Sequence, residues 1–215
     1  MKIIAINGSP RKKCNTAILL EKALEGAAST GAETDLVHLY DFNYKGCISC
    51  FACKVKGGKS YGKCAVKDEL SPVLERTLNA DAILFGSPIY LSVVSGEMRS
   101  FMERLIFPNV AYANPYKSLA EKKIKTGFIY TMNIPEESFN ESQLKPHLEG
   151  TGNQASLEFL FGSVEPLYSF DTFQFPDYSK YVSDLFDPEH KAARRRDVFP
   201  EDCRKAYDLG VRLVS

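Results

Sequence analysis

Residues 3–6, Ile-Ile-Ala-Ile, form an apolar run that stops after four positions and gives way at once to Asn7-Gly8-Ser9-Pro10. The run is continuous rather than alternating, and Met1–Ile6 therefore predicts a short strand covered on both faces, the situation of a parallel sheet with helices above and below. The same alternation continues down the chain. Thr16–Thr30 predicts a helix with Leu20, Leu24 and Ala27 on one stripe, and Thr34–Leu39 a second strand. Asp68–Leu78 predicts a helix, Ala82–Gly86 a third strand, Ser87–Ser95 a loop and Gly96–Ile106 a helix. Lys125–Met132 and Val164–Phe170 read as strands four and five, separated by a polar excursion at Glu136–Gly152 and a helix near Gln154–Phe161. A last helix runs from about Glu201 to Leu213, started by Pro200 and two acids. Five strands with intervening helices imply an α/β fold with a mainly parallel five-stranded sheet, and such sheets bind ligands beyond the carboxyl ends of their strands.

Length and charge narrow the field. The chain has 215 residues, enough for one well-buried core, and the whole of 1–215 is read as one domain with a cysteine-rich loop at 45–67 and a C-terminal helical tail at 187–215. Its 27 basic and 27 acidic residues balance, so nothing draws it as a whole to nucleic acid or to an anionic membrane. The opening apolar run is too short for the core of a signal peptide, and no run approaches the ~20 residues of a membrane helix. The expected location is the cytoplasm, where six cysteines point to metal or redox chemistry more than to a disulfide framework.

The loop after the first strand, Gly8-Ser9-Pro10-Arg11-Lys12-Lys13-Cys14-Asn15-Thr16, lies between a strand and a helix start. A helix start offers unpaired N–H groups and a positive dipole end, and both suit a phosphate. Ser9, Asn15 and Thr16 add short polar donors, Arg11, Lys12 and Lys13 add charge, and no carboxylate appears before Glu21. The same residues also read as a helix cap and a solvated basic turn. The loop is neither the Walker A pattern nor the dinucleotide Gly-x-Gly-x-x-Gly.

Ile6-Asn7-Gly8-Ser9-Pro10-Arg11 followed by Asn15-Thr16 resembles the NADPH-dependent FMN reductase family, a flavodoxin-like group. The resemblance covers about residues 1–135 and implies a flavodoxin-like three-layer sandwich. It also implies that Ser9, Arg11, Asn15 and Thr16 hold the FMN phosphate. Cys14 stands where relatives often carry Gly or Ser. Gly86-Ser87-Pro88-Ile89-Tyr90 looks like the stretch that wraps the flavin ring, which implies contacts from Ser87, Pro88, Ile89 and Tyr90; taken alone it is a turn with an aromatic residue. Arg99 and Glu103-Arg104 stand where relatives have Lys and Asp-Arg. Tyr130-Thr131-Met132-Asn133 ends the fourth strand, and Thr131 and Asn133 either hydrogen-bond the flavin pyrimidine or only finish the strand.

Cys47-Ile-Ser-Cys50-Phe-Ala-Cys53 is followed by Cys64 after ten residues that include three glycines. Soft sulfur ligands at this spacing suit a metal, and the surrounding lysines favour thiolate. The run resembles that of iron–sulfur flavoproteins, which implies a 4Fe-4S cluster on Cys47, Cys50, Cys53 and Cys64, although the last gap is longer than theirs. Free thiols or a reversible disulfide, and less readily a structural zinc, are also readable from the residues. Cys14 and Cys203 read as small buried apolar residues.

Glu165–Tyr181 is dense in aromatics, either packing beneath a long loop or contacting a second subunit. Arg194-Arg-Arg196 reads as a solvated helix face or as an attraction for the NADPH phosphate, and His38, His147 and His190 carry no metal-ligand spacing. The implied activity is an oxidoreductase in which NAD(P)H is co-substrate, FMN carries the electrons, and a small molecule or a protein accepts them. Such chemistry requires no side-chain general acid or base, and no catalytic residue is named. Rival readings are an iron–sulfur electron carrier, a cysteine-based redox-sensing flavin module and a fold relative without cofactor. Relatives imply a homodimer or homotetramer.

Overall fold

A computed structural model describes residues 1–151, 153–182 and 184–215. Five strands, β1 (Lys2–Asn7), β2 (Glu33–His38), β3 (Ala82–Tyr90), β4 (Ile124–Thr131) and β5 (Gly162–Ser169), make one parallel sheet in the order β2-β1-β3-β4-β5. The longer helices among the described residues are α1 (Asn15–Ser29), α2 (Ser71–Asn79), α3 (Gly96–Ile106), α4 (Asn153–Phe161), α5 (Pro188–Asp197) and α6 (Phe199–Val214). The three-layer arrangement expected from the sequence is the one observed.

Strand alternation sorts the core into two layers. Ile3, Ala5, Leu84 and Ile129 face α1 and α6, whereas Ile4, Ile6, Phe85, Phe128 and Tyr130 face α2, α3 and α4. Both faces of β1 are dry, which is why its sequence is apolar without alternation. Each isoleucine, leucine or phenylalanine among them contributes roughly 1.5–3 kcal/mol through burial. The α1–α6 contact depends on two glycines: a Cβ at Gly26 would lie 2.0 Å from the Tyr207 carbonyl oxygen, and one at Gly210 would lie 1.7 Å from that of Ala23. The second layer is stitched by aromatics, with Phe128 and Tyr130 stacked at 4.1 Å between ring centroids and Tyr130 and Tyr168 at 5.3 Å.

Two expectations need correction. β3 does not stop at Gly86. It runs on to Tyr90, turns through Leu91 and Ser92, and pairs antiparallel with Val93–Val94, so part of the expected Ser87–Ser95 loop is a hairpin. Ser87 and Pro88 also pair with Tyr130 and Thr131 of β4, which keeps the strand extended past the glycine. The excursion after β4 is polar in composition, yet it holds a short helix, Glu136–Glu141, and buries Phe139, Leu144 and Leu148 against the second layer. Its expected end, Gly152, lies outside the described residues. Among the described residues no helix is long and apolar enough to cross a membrane.

Candidate functional site

The chain reverses direction across the sheet between β1 and β3, since β2 lies on one side of β1 and β3 on the other. Ligands of such sheets sit in the crevice at that point, beyond the carboxyl ends of the strands. Asn7, the last residue of β1, is fully buried; its Oδ1 accepts the Ser9 N–H at 2.9 Å, and its Nδ2 is 2.8 Å from His38 Nδ1. That contact requires His38 to accept through Nδ1. Ser9 Oγ then accepts the Arg11 N–H at 3.2 Å. The loop is thus wound by side chains, and α1 begins with no side-chain cap on Cys14 and no acid in its first turn. The N–H groups of Asn15, Thr16 and Ala17 have no acceptor among the described residues.

A hydroxyl relay binds this loop to its neighbours. Ser95, the cap of α3, accepts the Met98 N–H and donates from Oγ to the Gly8 carbonyl at 2.6 Å, and its own N–H donates to Ser87 Oγ at 3.0 Å. Gly8 itself admits no side chain, because a Cβ would lie 2.7 Å from the Cβ of Met98. Ser87 is fully buried in this relay, whereas Pro88 and Ile89 are half-buried and Tyr90 is 46% exposed. Leu91, at the hairpin tip, is 99% exposed and shares a left-handed backbone with Ser92, at φ 48° and 68°. Tyr40 and Tyr44, which the sequence did not single out, join this side. Burial, and then Glu97 and Tyr90, push the Tyr40 hydroxyl above its ordinary value, and Tyr44 Oη donates to the Glu97 carbonyl at 2.7 Å.

The expected phosphate residues come together, with one addition. Thr16 and Thr131 meet hydroxyl to hydroxyl, both buried. Arg11 Nη1 donates to the Gln174 carbonyl at 2.5 Å, Asn15 Nδ2 to the Phe173 carbonyl at 2.9 Å, and Asn133 Nδ2 to Gln174 Oε1 at 2.7 Å. Residues 173–174 are therefore a strap that fixes the three side chains, leaving the α1 amides as the free donors. The strap is anchored by Asp171, left-handed at φ 49°, which accepts from Lys191 Nζ and from His190 Nε2 at 2.7 Å. Lys191 is 2% exposed and also donates to Asn133 Oδ1 at 2.5 Å. Ser95 was readable as a cap before Gly96-Glu97-Met98, but no local signal marks Gln174 or Lys191, whose roles depend on contacts across the fold.

The cysteine-rich segment is clasped onto α3. Arg104 is 2% exposed; it forms a bidentate bond to Asp68 at 2.5 and 2.9 Å and donates to the carbonyls of Lys45 and Val66, so one guanidinium holds both stems of the loop. Burial opposes its charge, but Asp68 and Cys64 outweigh that and keep it above its ordinary value. Its bonds hold the Asp68 carboxyl below the usual carboxylate range. Glu103 Oε2 accepts the Cys47 N–H at 3.2 Å, and Lys54 Nζ donates to the carbonyls of Phe107 and Val110. Ser49 and Phe51, on either side of Cys50, both have left-handed backbone, at φ 55° and 56°. Cys47, Cys50, Cys53 and Cys64 all line one small cleft together with Arg104 and Phe107, and all six cysteines are free. Burial pushes the Cys53 thiol up. No three of the described His, Cys, Asp and Glu side chains converge tightly enough for a single ion.

Residues 1–132 match the family described as NADPH-dependent FMN reductase. An iron-sulfur flavoprotein of Methanocaldococcus jannaschii is 38% identical over 104 residues, which are 48% of this chain and 51% of that protein. The chain thus spans about half the length of the curated relatives it matches. Among solved structures, an NAD(P)H:quinone oxidoreductase from Methanothermobacter marburgensis superposes with a TM-score of 0.73 at 14% identity, over 99% of this chain and 98% of that one. An FMN-dependent NADH-azoreductase from Bacillus anthracis, solved in complex with FMN, gives 0.66 at 12% identity and 100% of both chains.

Proposed function

The chain belongs to the NADPH-dependent FMN reductase family, and from that premise we propose that it is an FMN-dependent oxidoreductase that passes electrons from NAD(P)H to an acceptor. The observation that carries this reading is the start of α1, at the carboxyl edge of the sheet: three unpartnered amides, no capping side chain and no acid. That is the donor set a phosphate ester requires, and a carboxylate there would exclude it. The residues fit FMN. The amides of Asn15, Thr16 and Ala17 would bind its phosphate, with Ser9, Arg11, Asn15 and Thr16 building and charging the cradle. Pro88, Ile89 and Tyr90 would flank the ring, Ser87 would hold their hairpin, and Thr131 and Asn133 would border the pyrimidine edge. Bound FMN supplies the hydride and single-electron chemistry. The chain orients it and shields one face, and no side-chain acid or base is needed.

The test is the absorption spectrum of protein purified without oxygen, followed by NADPH and NADH oxidation under steady state. A flavin spectrum with turnover on a small quinone or azo dye is the expected result. Protein that cannot be reconstituted with FMN overturns the reading.

A second reading is favoured by the four cysteines on one cleft beside the buried Arg104 cation. Cysteine thiolates are the ligands of four-iron clusters, and a neighbouring cation favours the thiolate form. On that reading the chain carries electrons between FMN and a protein partner. Iron and sulfide analysis decides it, with roughly four iron atoms per chain expected for a cluster. Loss of that iron in Cys64→Ala but not in Cys203→Ala would assign the ligands. We further read the chain as a homo-oligomer in the cytoplasm. Tyr90, Leu91 and Val93 offer an exposed apolar hairpin suited to a second copy, and free thiols suit a reducing compartment.

A further inference from the structure

Building on the FMN reading above, we propose that Arg195 of α5 is a phosphate-binding residue of the same cradle, directed at the phosphate ester of the flavin nucleotide. Three consecutive arginines end α5, and two of them are neutralised. Arg194 pairs with Asp202 at 2.5 Å and Arg196 with Asp197 at 2.6 Å. Arg195 has no carboxylate partner among the described residues. Its Nη1 donates instead to Oδ1 of Asn15, the first residue of α1, at 3.1 Å. The guanidinium lies over the Phe199 ring, 3.9 Å from the centroid, which fixes its plane.

This is an unfavourable place for a cation. The start of a helix carries a partial positive charge, and α1 has no acid in its first turn to offset it. Lys12 is neutralised by Asp41, whereas Arg11 donates only to a neutral carbonyl. Partial burial works against the Arg195 charge and draws it below its ordinary value. Arg11 and Arg195 thus border the start of α1 with no carboxylate partner among the described residues, and a doubly charged phosphate would supply the counter-charge. The competing role is mechanical: Arg195 would only brace Asn15 and cover Phe199.

Flavin binding separates these roles. Deflavinated wild type, Arg195→Gln, Arg195→Lys and Arg196→Gln are titrated with FMN and with riboflavin, which lacks the phosphate, by fluorescence quenching. Arg195→Gln is expected to weaken FMN by about tenfold or more and to leave riboflavin unchanged, since a charge-assisted bond is lost. Arg195→Lys recovers part of that loss, and Arg196→Gln behaves as wild type. Thermal unfolding of the ligand-free variants reports whether each is folded; should Arg195→Gln not be, Arg195→Met, which keeps an apolar stem over Phe199 without the charge, carries the same comparison. An equal loss for both flavins overturns the proposal in favour of bracing. So does unchanged FMN affinity with a raised KM for NADPH but not for NADH, which would give Arg195 to the co-substrate. A wild type in which FMN binds better than riboflavin while Arg195→Gln keeps that preference overturns the proposal alone, whereas a wild type that binds both equally, or neither, overturns the phosphate cradle of the FMN reading with it.

Discussion

Thr16 and Thr131 are 115 positions apart in the chain, yet their hydroxyl oxygens lie 2.8 Å apart in the buried floor of the crevice. One belongs to the first turn of α1 and the other ends β4, so this bond ties the start of α1 to the end of the fourth strand. Neither side chain has solvent access to exchange for the lost bond.

Replacing either threonine by valine keeps the volume and leaves one hydroxyl unpartnered. Thr16→Val and Thr131→Val are each expected to cost about 1 kcal/mol in urea unfolding. The double variant should cost less than the sum, with a coupling of at least about 0.5 kcal/mol. Additive losses would mean that the two hydroxyls do not depend on each other.

The layers of this fold were legible because burial on both faces leaves a direct trace in the chain. Ile3–Ile6 and Ala82–Phe85 are apolar without alternation, and both are central strands. The uncapped, acid-free start of α1 was legible for a similar reason, since its composition records what is missing near Asn15. The β3 hairpin was not legible. Leu91-Ser92 is a poor turn sequence, and only the pairing of Ile89 with Val94 reveals the reversal. Gln174 and Lys191 were equally hidden, and the Arg194–Arg196 run was visible without its contact to Asn15, because each acts on a residue more than forty positions away through contacts that no local period encodes.

Tyr130 offers a substitution that should not weaken the protein. Its ring is fully buried, stacked between Phe128 and Tyr168, and its hydroxyl has no hydrogen-bond partner among the described residues. Gln154, the amide beside it, donates instead to Tyr168 Oη at 2.9 Å. Tyr130→Phe removes a desolvated polar atom and keeps the stack, so stability should stay level or rise by about 1 kcal/mol. A loss of that size in urea unfolding would show that the hydroxyl is satisfied after all.

The clasp of the cysteine-rich loop should respond to acid. Arg104 holds the folded Asp68 pKa below its unfolded value of about 3.9, so the pair's contribution is present above about pH 4. It is lost as pH falls through the depressed folded value, where protonation releases the guanidinium. Unfolding free energy measured between pH 6 and pH 2 (roughly the range of carboxylate titration) should fall more steeply in wild type than in Asp68→Asn. At neutral pH the asparagine variant should be weaker by about 3 kcal/mol, because Arg104 stays buried without its counter-charge. Identical slopes would remove Asp68 from the acid response.

The hairpin tip is where stability and function should part. Leu91 and Ser92 both sit at positive φ, a backbone that asparagine and glycine adopt at lower cost. Leu91→Asn with Ser92→Gly should therefore raise stability by about 1 kcal/mol, since nothing buried is lost at a residue exposed as fully as Leu91. Natural chains keep such strain where a side chain is needed in that place, and the one at issue is an apolar tip between Tyr90 and Val93. If the hairpin serves as a contact with a second copy, the stabilised variant should dissociate more readily on size-exclusion chromatography while its thermal midpoint at matched dilution rises. A variant that is more stable and equally associated would assign the strain to the turn alone and leave the apolar tip without a role in assembly.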